Sequence, residues 1–241
     1  MRALALRLEG PLQSWGGPVA GDDRPSFDVP TKSGVIGLVG GALGIGRHET
    51  ERLVALHEAL ALVVRVDRPG VRGVDFHTAM DVPTAEGKLR RHPVVSRRTY
   101  LYDASFVALL VEVQSTSLEA LLDALRHPRH ALYLGRRACV PSVPVLAAPR
   151  VLEGESWQAI LDTVPVSVRD GASPRSSYEV FIEAVLVPEG EEHRLRRVRD
   201  ALVGPLPRFF GERVVHGMRR TLSLPPESSA VHANESIDPW F

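Results

Sequence analysis

Leu4, Leu6 and Leu8 alternate with Ala3, Ala5, Arg7 and Glu9, a period of two that predicts a strand beginning almost at the first residue. A glycine- and proline-rich loop interrupts it, and the period then changes. Over Val29–Ile45 the apolar positions repeat as on a helix that Thr31 or Ser33 is placed to cap, yet Gly34, Gly37, Gly41 and Gly44 recur at spacings of three, four and three. Residues 49–69 predict a short helix running into a strand whose stretch Leu60–Val66 is nearly all aliphatic, and 71–80 predict another strand. Residues 81–103, which contain Pro83, Gly87 and Pro93, predict an extended hairpin or flap leaving the body. A strand over 105–115, a helix over 116–128 with Leu118, Leu121, Leu122 and Leu125 on one face, and a short strand and turn over 131–145 complete this part.

The order strand, helix, strand, strand, helix, strand is that of the ferredoxin-like split βαβ unit, so the expected class is α+β. Such a fold hosts many functions and selects none. Beyond Arg150 the pattern predicts strands over 178–188 and 212–224 and a helix over 194–204, forming a second, smaller sheet packed on the first. The expected division is therefore residues 1–147 and a smaller β-rich region, 148–241.

The glycine stripe asks for an explanation, because each glycine inside a helix costs roughly 1 kcal/mol against alanine. Two uses stay open: another element packs at very close range, or the backbone of a ligand lies there. The helix N-terminus, with Lys32 and Ser33 beside it, is a fair anion site.

Composition bounds the rest. A chain of 241 residues with 44% hydrophobic and 24% charged residues is globular, and twenty-nine basic residues balance twenty-nine acidic ones. The balance conceals two basic districts. Lys88, Arg90, Arg91, Arg97 and Arg98 face only Glu86 between residues 86 and 100, and eight arginines face Asp200 and Glu212 between 193 and 220. Lys32 and Lys88 are the only lysines, so the positive charge is almost all guanidinium, suited to bidentate phosphate contacts. The single cysteine, Cys139, excludes an internal disulfide, and neither a signal peptide nor an apolar run of membrane-spanning length is present, so a cytoplasmic protein without membrane attachment is expected.

Tests for known chemistries mostly fail. Thr31-Lys32-Ser33-Gly34 has its glycines after the lysine, not before it as in a P-loop, and the segment at Gly44 and Gly46 has Glu49 where a dinucleotide fingerprint needs glycine. No H-E-x-x-H or G-x-S-x-G occurs, and neither metal nor cofactor is expected. Metal-free RNA cleavage would need a base and a cation, for which His77, His92, Lys88, Tyr100 and Tyr102 are the candidates. An RNA-binding sheet of the RRM kind would carry several stacking aromatics, whereas the strand over 71–80 offers only Phe76.

The segments GPLQSWG, RPSFDVPTKSGVIGLVGGALGI, RRTYLYDASF and LGRRACVPSVPV together resemble the CasD family of type I-E CRISPR Cascade subunits, numbered five among Cas families. The likeness covers roughly residues 1–147. It implies a non-catalytic structural subunit with a ferredoxin-like palm and a β-hairpin thumb at about 80–104, holding the 5′ handle of the CRISPR RNA in antiviral defence. By the same likeness, Gln13, Trp15, Arg24, Lys32 and Ser33 line the RNA surface with Gly34, Gly37 and Gly41 of the helix. Arg90, Arg91, Arg97 and Arg98 belong to the thumb, and Arg136 and Arg137 lie nearby. The implied partners are the CRISPR RNA, the backbone subunit CasC, the large subunit CasA and, indirectly, target DNA. Relatives in another subtype cut repeat RNA without metal, and an interaction module that binds no RNA is a further alternative. The terminal Pro239-Trp240-Phe241 is a candidate apolar contact patch.

Overall fold

The computed structural model describes residues 1–17, 21–46, 48–90, 92–168, 176–187, 194–203 and 209–221. In chain order its strands are β1 (Arg2–Gln13), β2 (Trp15–Gly16), β3 (Asp23–Arg24), β4 (Ser26–Phe27), β5 (Leu60–Arg68), β6 (Val71–Ala79), β7 (Val94–Glu112), β8 (Leu152–Glu153), β9 (Ser177–Glu183), β10 (Arg194–Val203) and β11 (Phe209–Thr221). The helices are α1 (Lys32–Leu43), α2 (Thr50–Ala59), α3 (Leu118–Arg126) and α4 (Trp157–Asp162), with a 3₁₀ turn at Ala184–Leu186. The class is mixed α/β, dominated by one large sheet in the order β10-β11-β9-β5-β7-β1-β8.

Local chemistry sets the helix ends. Thr31, in extended conformation, caps α1 through its hydroxyl, which accepts from the Gly34 N–H, and Ser117 and Ser156 cap α3 and α4 in the same way. Gly44 ends α1 in the left-handed region at φ 73°, where its N–H reaches the Gly40 and Gly41 carbonyls. The leucine face expected of α3 is the buried one.

Layers of side chains cover both faces of the sheet. Leu4, Leu6, Leu8, Phe106, Ala108 and Leu110 point toward α1, α2 and α3, while Ala3, Ala5, Val63, Val107, Leu109 and Val111 point toward α4. This explains why Leu60–Val66 is apolar at every position but Arg65: a strand buried on both faces has no solvent side to show. The alanines of β1 are core residues too, small enough for Trp157 and Ile160 to close over the second face.

The region beyond Arg150 does not form a second sheet. β9 pairs antiparallel with β5 over Val63↔Ile182 to Val66↔Glu179, and β11 and β10 follow, so the C-terminal strands extend the first sheet. Residues 194–203, expected as a helix, are strand β10. Their apolar residues Leu195, Val198 and Leu202 suit a helical period, but pairing with β11 overrides that local preference. The strand and turn expected over 131–145 is a turn-rich segment running along β1, tied by Arg7 N–H to Val145 O and Ser142 N–H to Glu9 O. Strand β7 is continuous from the flap into the core, so the hairpin begins at residue 71, well before 80. Residues 239–241 lie outside the described residues.

One buried ion pair joins the C-terminal segment to the core. Arg65 on β5 is fully buried; its guanidinium donates to both Asp67 oxygens at 2.6 and 3.2 Å and to the carbonyls of Leu161, Val164 and Pro165 at 2.9–3.1 Å. Asp67 also accepts from the Ser167 N–H at 2.8 Å. Breaking such a pair strands a charge in the interior. Arg65→Met is expected to lower unfolding stability by about 3–5 kcal/mol, measured by urea denaturation, whereas replacing Arg65 and Asp67 together with apolar residues costs less.

Candidate nucleic-acid interface

The glycines of α1 divide into two sets. A Cβ on Gly34 would lie 2.9 Å from the Thr31 hydroxyl and 2.9 Å from the Trp15 ring, and one on Gly40 would lie 2.5 Å from Leu53. These glycines, with the left-handed Gly44, serve packing inside the molecule. Gly37 and Gly41 differ, because among the described residues a Cβ on either meets nothing within 4 Å. Close packing thus accounts for Gly34, and among the described residues Gly37 and Gly41 leave the backbone of α1 open to an approaching surface.

The N-terminus of α1 is not free for an anion. Asp200 on β10 accepts from the Lys32 N–H at 2.7 Å and is gripped by Arg213 at 2.7 and 2.8 Å, so an internal carboxylate already meets the helix dipole. Lys32 itself is buried; its ammonium binds Glu183 at 2.7 Å, and Glu183 also accepts from the Leu62 N–H. Burial lowers the Lys32 amine, with Glu183 opposing. The expectation that Lys32 lines a ligand surface is corrected: an ammonium inside an ion-pair network is out of reach.

Gln13 and Trp15 are corrected likewise. The Gln13 amide donates to the carbonyls of Leu8 and Ala104 at 2.9 and 2.8 Å and accepts from the Trp15 indole at 3.0 Å, and both residues are fully buried. They hold the end of β1 against β7. Ser33 is half-exposed at the start of α1.

The arginines gather on the hairpin. β6 and β7 pair from Val71↔Tyr102 to Ala79↔Val94, and the turn beyond is closed by Thr84 N–H to Lys88 O and Arg90 N–H to Val82 O. β3 lies parallel to β7 with Asp23 beside Arg97 and Arg24 beside Arg98. Arg136 crosses this junction, donating to the Arg24 carbonyl at 2.8 Å and the Thr99 carbonyl at 3.4 Å, with its guanidinium 4.7 Å from the Tyr100 ring centre. It is thus a structural clamp that keeps its charge at the site. Arg97 and Arg137 are exposed, Arg98 is half-exposed beside the Ser96 hydroxyl, and Arg90 is exposed near the tip. The side chain of Arg91 lies outside the described residues. Arg72, which the sequence reading passed over, ties the hairpin to the strap leading into α1 through Ser26 O and Asp28. Phe76, opposite Arg97, is 64% exposed, an aromatic ring left among guanidinium groups.

Register also bears on the cleavage candidates. His77 pairs with Ser96, four residues along β7 from Tyr100, so the two sites are roughly 13 Å apart. Tyr100 is buried beneath Arg136, and Tyr102 covers Gly73, where a Cβ would lie 2.2 Å from its ring. These groups do not converge on one proton. Among the described residues no cluster of metal-ligating side chains occurs, and no helix is long and apolar enough to cross a membrane.

Residues 3–222 match the family described as CRISPR-associated protein (Cas_Cas5), and the chain belongs to that family. Within it, the chain is 40% identical over 174 residues to the CRISPR system Cascade subunit CasD of Escherichia coli (strain K12), covering 68% of this chain and 77% of that one. A chain of a solved CRISPR RNA-guided surveillance complex superposes with TM-score 0.74 at 29% identity, covering 91% of this chain and 90% of that one. A crystal structure of a Cas protein gives TM-score 0.68 at 36% identity, covering 92% and 97%.

Two measurements follow from this geometry. Gly37→Ala is expected to raise stability by about 0.5–1 kcal/mol, the ordinary helix gain, while Gly34→Ala lowers it through the Trp15 contact, both read by chemical denaturation. His57 on α2 faces Lys32, Arg213 and Asp200; burial first, then the two cations, push its imidazole down to about 4. The unfolded chain takes up that proton near pH 6.5 and the folded chain does not, so stability is full above 6.5 and falls as pH drops toward 4. Melting temperature across that window should decline less in His57→Gln than in the native chain.

Proposed function

We propose that this chain is a non-catalytic, CRISPR RNA-binding structural subunit of a type I-E Cascade surveillance complex, serving antiviral defence from the cytoplasm by capping the 5′ handle of the guide. The observation that carries the reading is the open side of α1 at Gly37 and Gly41, which no contact among the described residues requires; the exposed arginines of the hairpin are its second support. The order β8-β1-β7-β5, with α1–α2 and α3 as the connections, supports a ferredoxin-like palm, and β6 with the first half of β7 serves as its thumb. The RNA backbone lies along Gly37 and Gly41 with Ser33 at one side, and Arg24, Arg90, Arg97, Arg98 and Arg137 supply phosphate contacts that fix position without reading bases. Arg91 belongs to the same thumb. CasC and CasA are the neighbouring subunits, and target DNA is reached through the guide. Neither a cofactor nor a metal takes part.

The test is binding of the chain, co-expressed with the backbone subunit, to labelled handle RNA across a salt series in EDTA. Intact RNA bound in a handle-dependent way is expected. Arg97→Ser with Arg98→Ser should weaken binding and reduce the log–log salt slope by about 1.4, from about 0.7 for each single-strand phosphate contact. Gly37→Leu should weaken binding while leaving the melting temperature unchanged or higher. Cleavage in EDTA would favour the nuclease alternative, and binding indifferent to the handle would sink the reading.

A further inference from the structure

The second basic district forms a different surface. Residues Arg194–Val203 are the outermost strand of the sheet, and β11, β9 and β5 separate β10 from the hairpin strand β7, roughly 19 Å at ordinary strand spacing. Successive side chains alternate in direction as far as the irregularity between Val198 and Ala201, so Arg194 and Arg196 project to one side of this rim and Arg197 to the other, while Arg199 sits at the irregularity itself. All four are exposed.

Their pairing sets them apart from the arginines of the body. Arg65, Arg213 and Arg220 each bind a carboxylate at 2.6–2.7 Å. On the rim, among the described residues, only Arg197 faces an acid, exposed Glu212 at 3.9 Å. Arg196 rests 5.0 Å over the Phe181 ring, and Arg199 donates one N–H to the Phe210 carbonyl at 3.0 Å, contacts that aim the guanidinium groups without neutralising them. Charge on an edge strand also blocks strand addition, a need these four arginines meet at the same time.

We propose that this rim binds the backbone of double-stranded DNA, independently of sequence. Guanidinium groups in a row suit phosphate oxygens, which they meet bidentately. The duplex is favoured over a single strand because β10 carries no aromatic residue, the Phe181 ring beside Arg196 is buried and Phe210 of β11 is exposed by only 36%, whereas single-strand grooves combine charge with a series of stacking platforms. A duplex keeps its bases inside and shows phosphates alone. The inference does not depend on the RNA assigned to the hairpin and α1.

The test uses the purified full chain and fluorescein-labelled duplex DNA of arbitrary sequence, read by anisotropy over a salt series. Replacing Arg194, Arg196 and Arg199 with serine is expected to reduce the log–log slope by about 2.7, from about 0.9 per duplex phosphate. Lysine at the same three positions should retain most of the slope, and handle-RNA binding should be the same in both triple variants. Circular dichroism checks folding. Should the serine triple unfold, Arg194→Ser and Arg199→Ser singly are each expected to reduce the slope by about 0.9. An unchanged slope overturns the proposal, as does an equal loss of handle-RNA binding. Displacement of the duplex by poly-glutamate as readily as by unlabelled duplex of equal charge would instead identify an acidic protein as the partner.

Discussion

Strand β7 is the constraint on which the remaining architecture depends. Its 19 residues span roughly 60 Å, more than any single sheet layer needs. The half from Ala104 to Val111 is buried between β1 and β5, and the half from Val94 to Tyr102 pairs with β6, with only its end at Leu101 and Tyr102 still held by β1. Asp103, at φ 55°, sits between the halves and takes the left-handed turn that lets one strand serve both. Gly70 is needed opposite this point, since a Cβ there would strike the Tyr102 carbonyl at 2.5 Å. The hairpin therefore leaves the sheet as a continuation of its most buried strand. Its arginines are aimed by the core ladder, and moving them as a body means opening Leu12↔Tyr102 and Gln13↔Leu101 as well.

A second coupling aligns α1 with that frame. Asp200 caps the helix from 168 residues away, and Lys32 reaches Glu183 on β9, so two C-terminal strands grip the first turn of the glycine helix. Buried ions are poor sources of net stability, because desolvation offsets their attraction. Their value here is geometric: a charged network is satisfied in one arrangement and strongly penalised in others. With its positive end already occupied, α1 can offer an external ligand only its flank, which is where Gly37 and Gly41 stand open.

Much of the central sheet and of α3 was legible because periodicity there reports burial directly. The alternation of Leu4 to Leu8, the leucine face of α3 and the aliphatic run of β5 each follow from a side chain's need to leave water. The misreadings arose where a contact distant in sequence decides the outcome. Leu195, Val198 and Leu202 fit a helix until β11 is present to pair with them. Gln13, Trp15 and Lys32 are polar or polar-tipped residues in a loop-flanked motif, and nothing local distinguishes an amide that bridges two buried carbonyls from one that faces a ligand. The glycine stripe was ambiguous for the same reason: its two meanings differ only in what stands opposite, Trp15 and Leu53 in one case and open space in the other.

The neutral total charge acquires meaning once the partners are known. Acidic residues are spent on particular arginines: Asp67 on Arg65, Glu9 on Arg68, Asp200 on Arg213 and Asp162 on Arg220, all at or below the sheet surface. Pairing of this kind confines the field of those cations within a few ångströms. Among the described residues, the exposed guanidinium groups with no carboxylate within 4 Å include Arg90 and Arg97 on the hairpin and Arg194, Arg196 and Arg199 on β10. With the total at zero, two basic districts leave the rest of the chain net acidic, so the long-range attraction of a polyanion acts at the basic rims and not over the whole surface. A protein that must accept nucleic acid in one orientation gains from such an arrangement. Uniform basicity would capture the same phosphates in many poses, whereas segregated charge penalises every pose that leaves a rim unpaired.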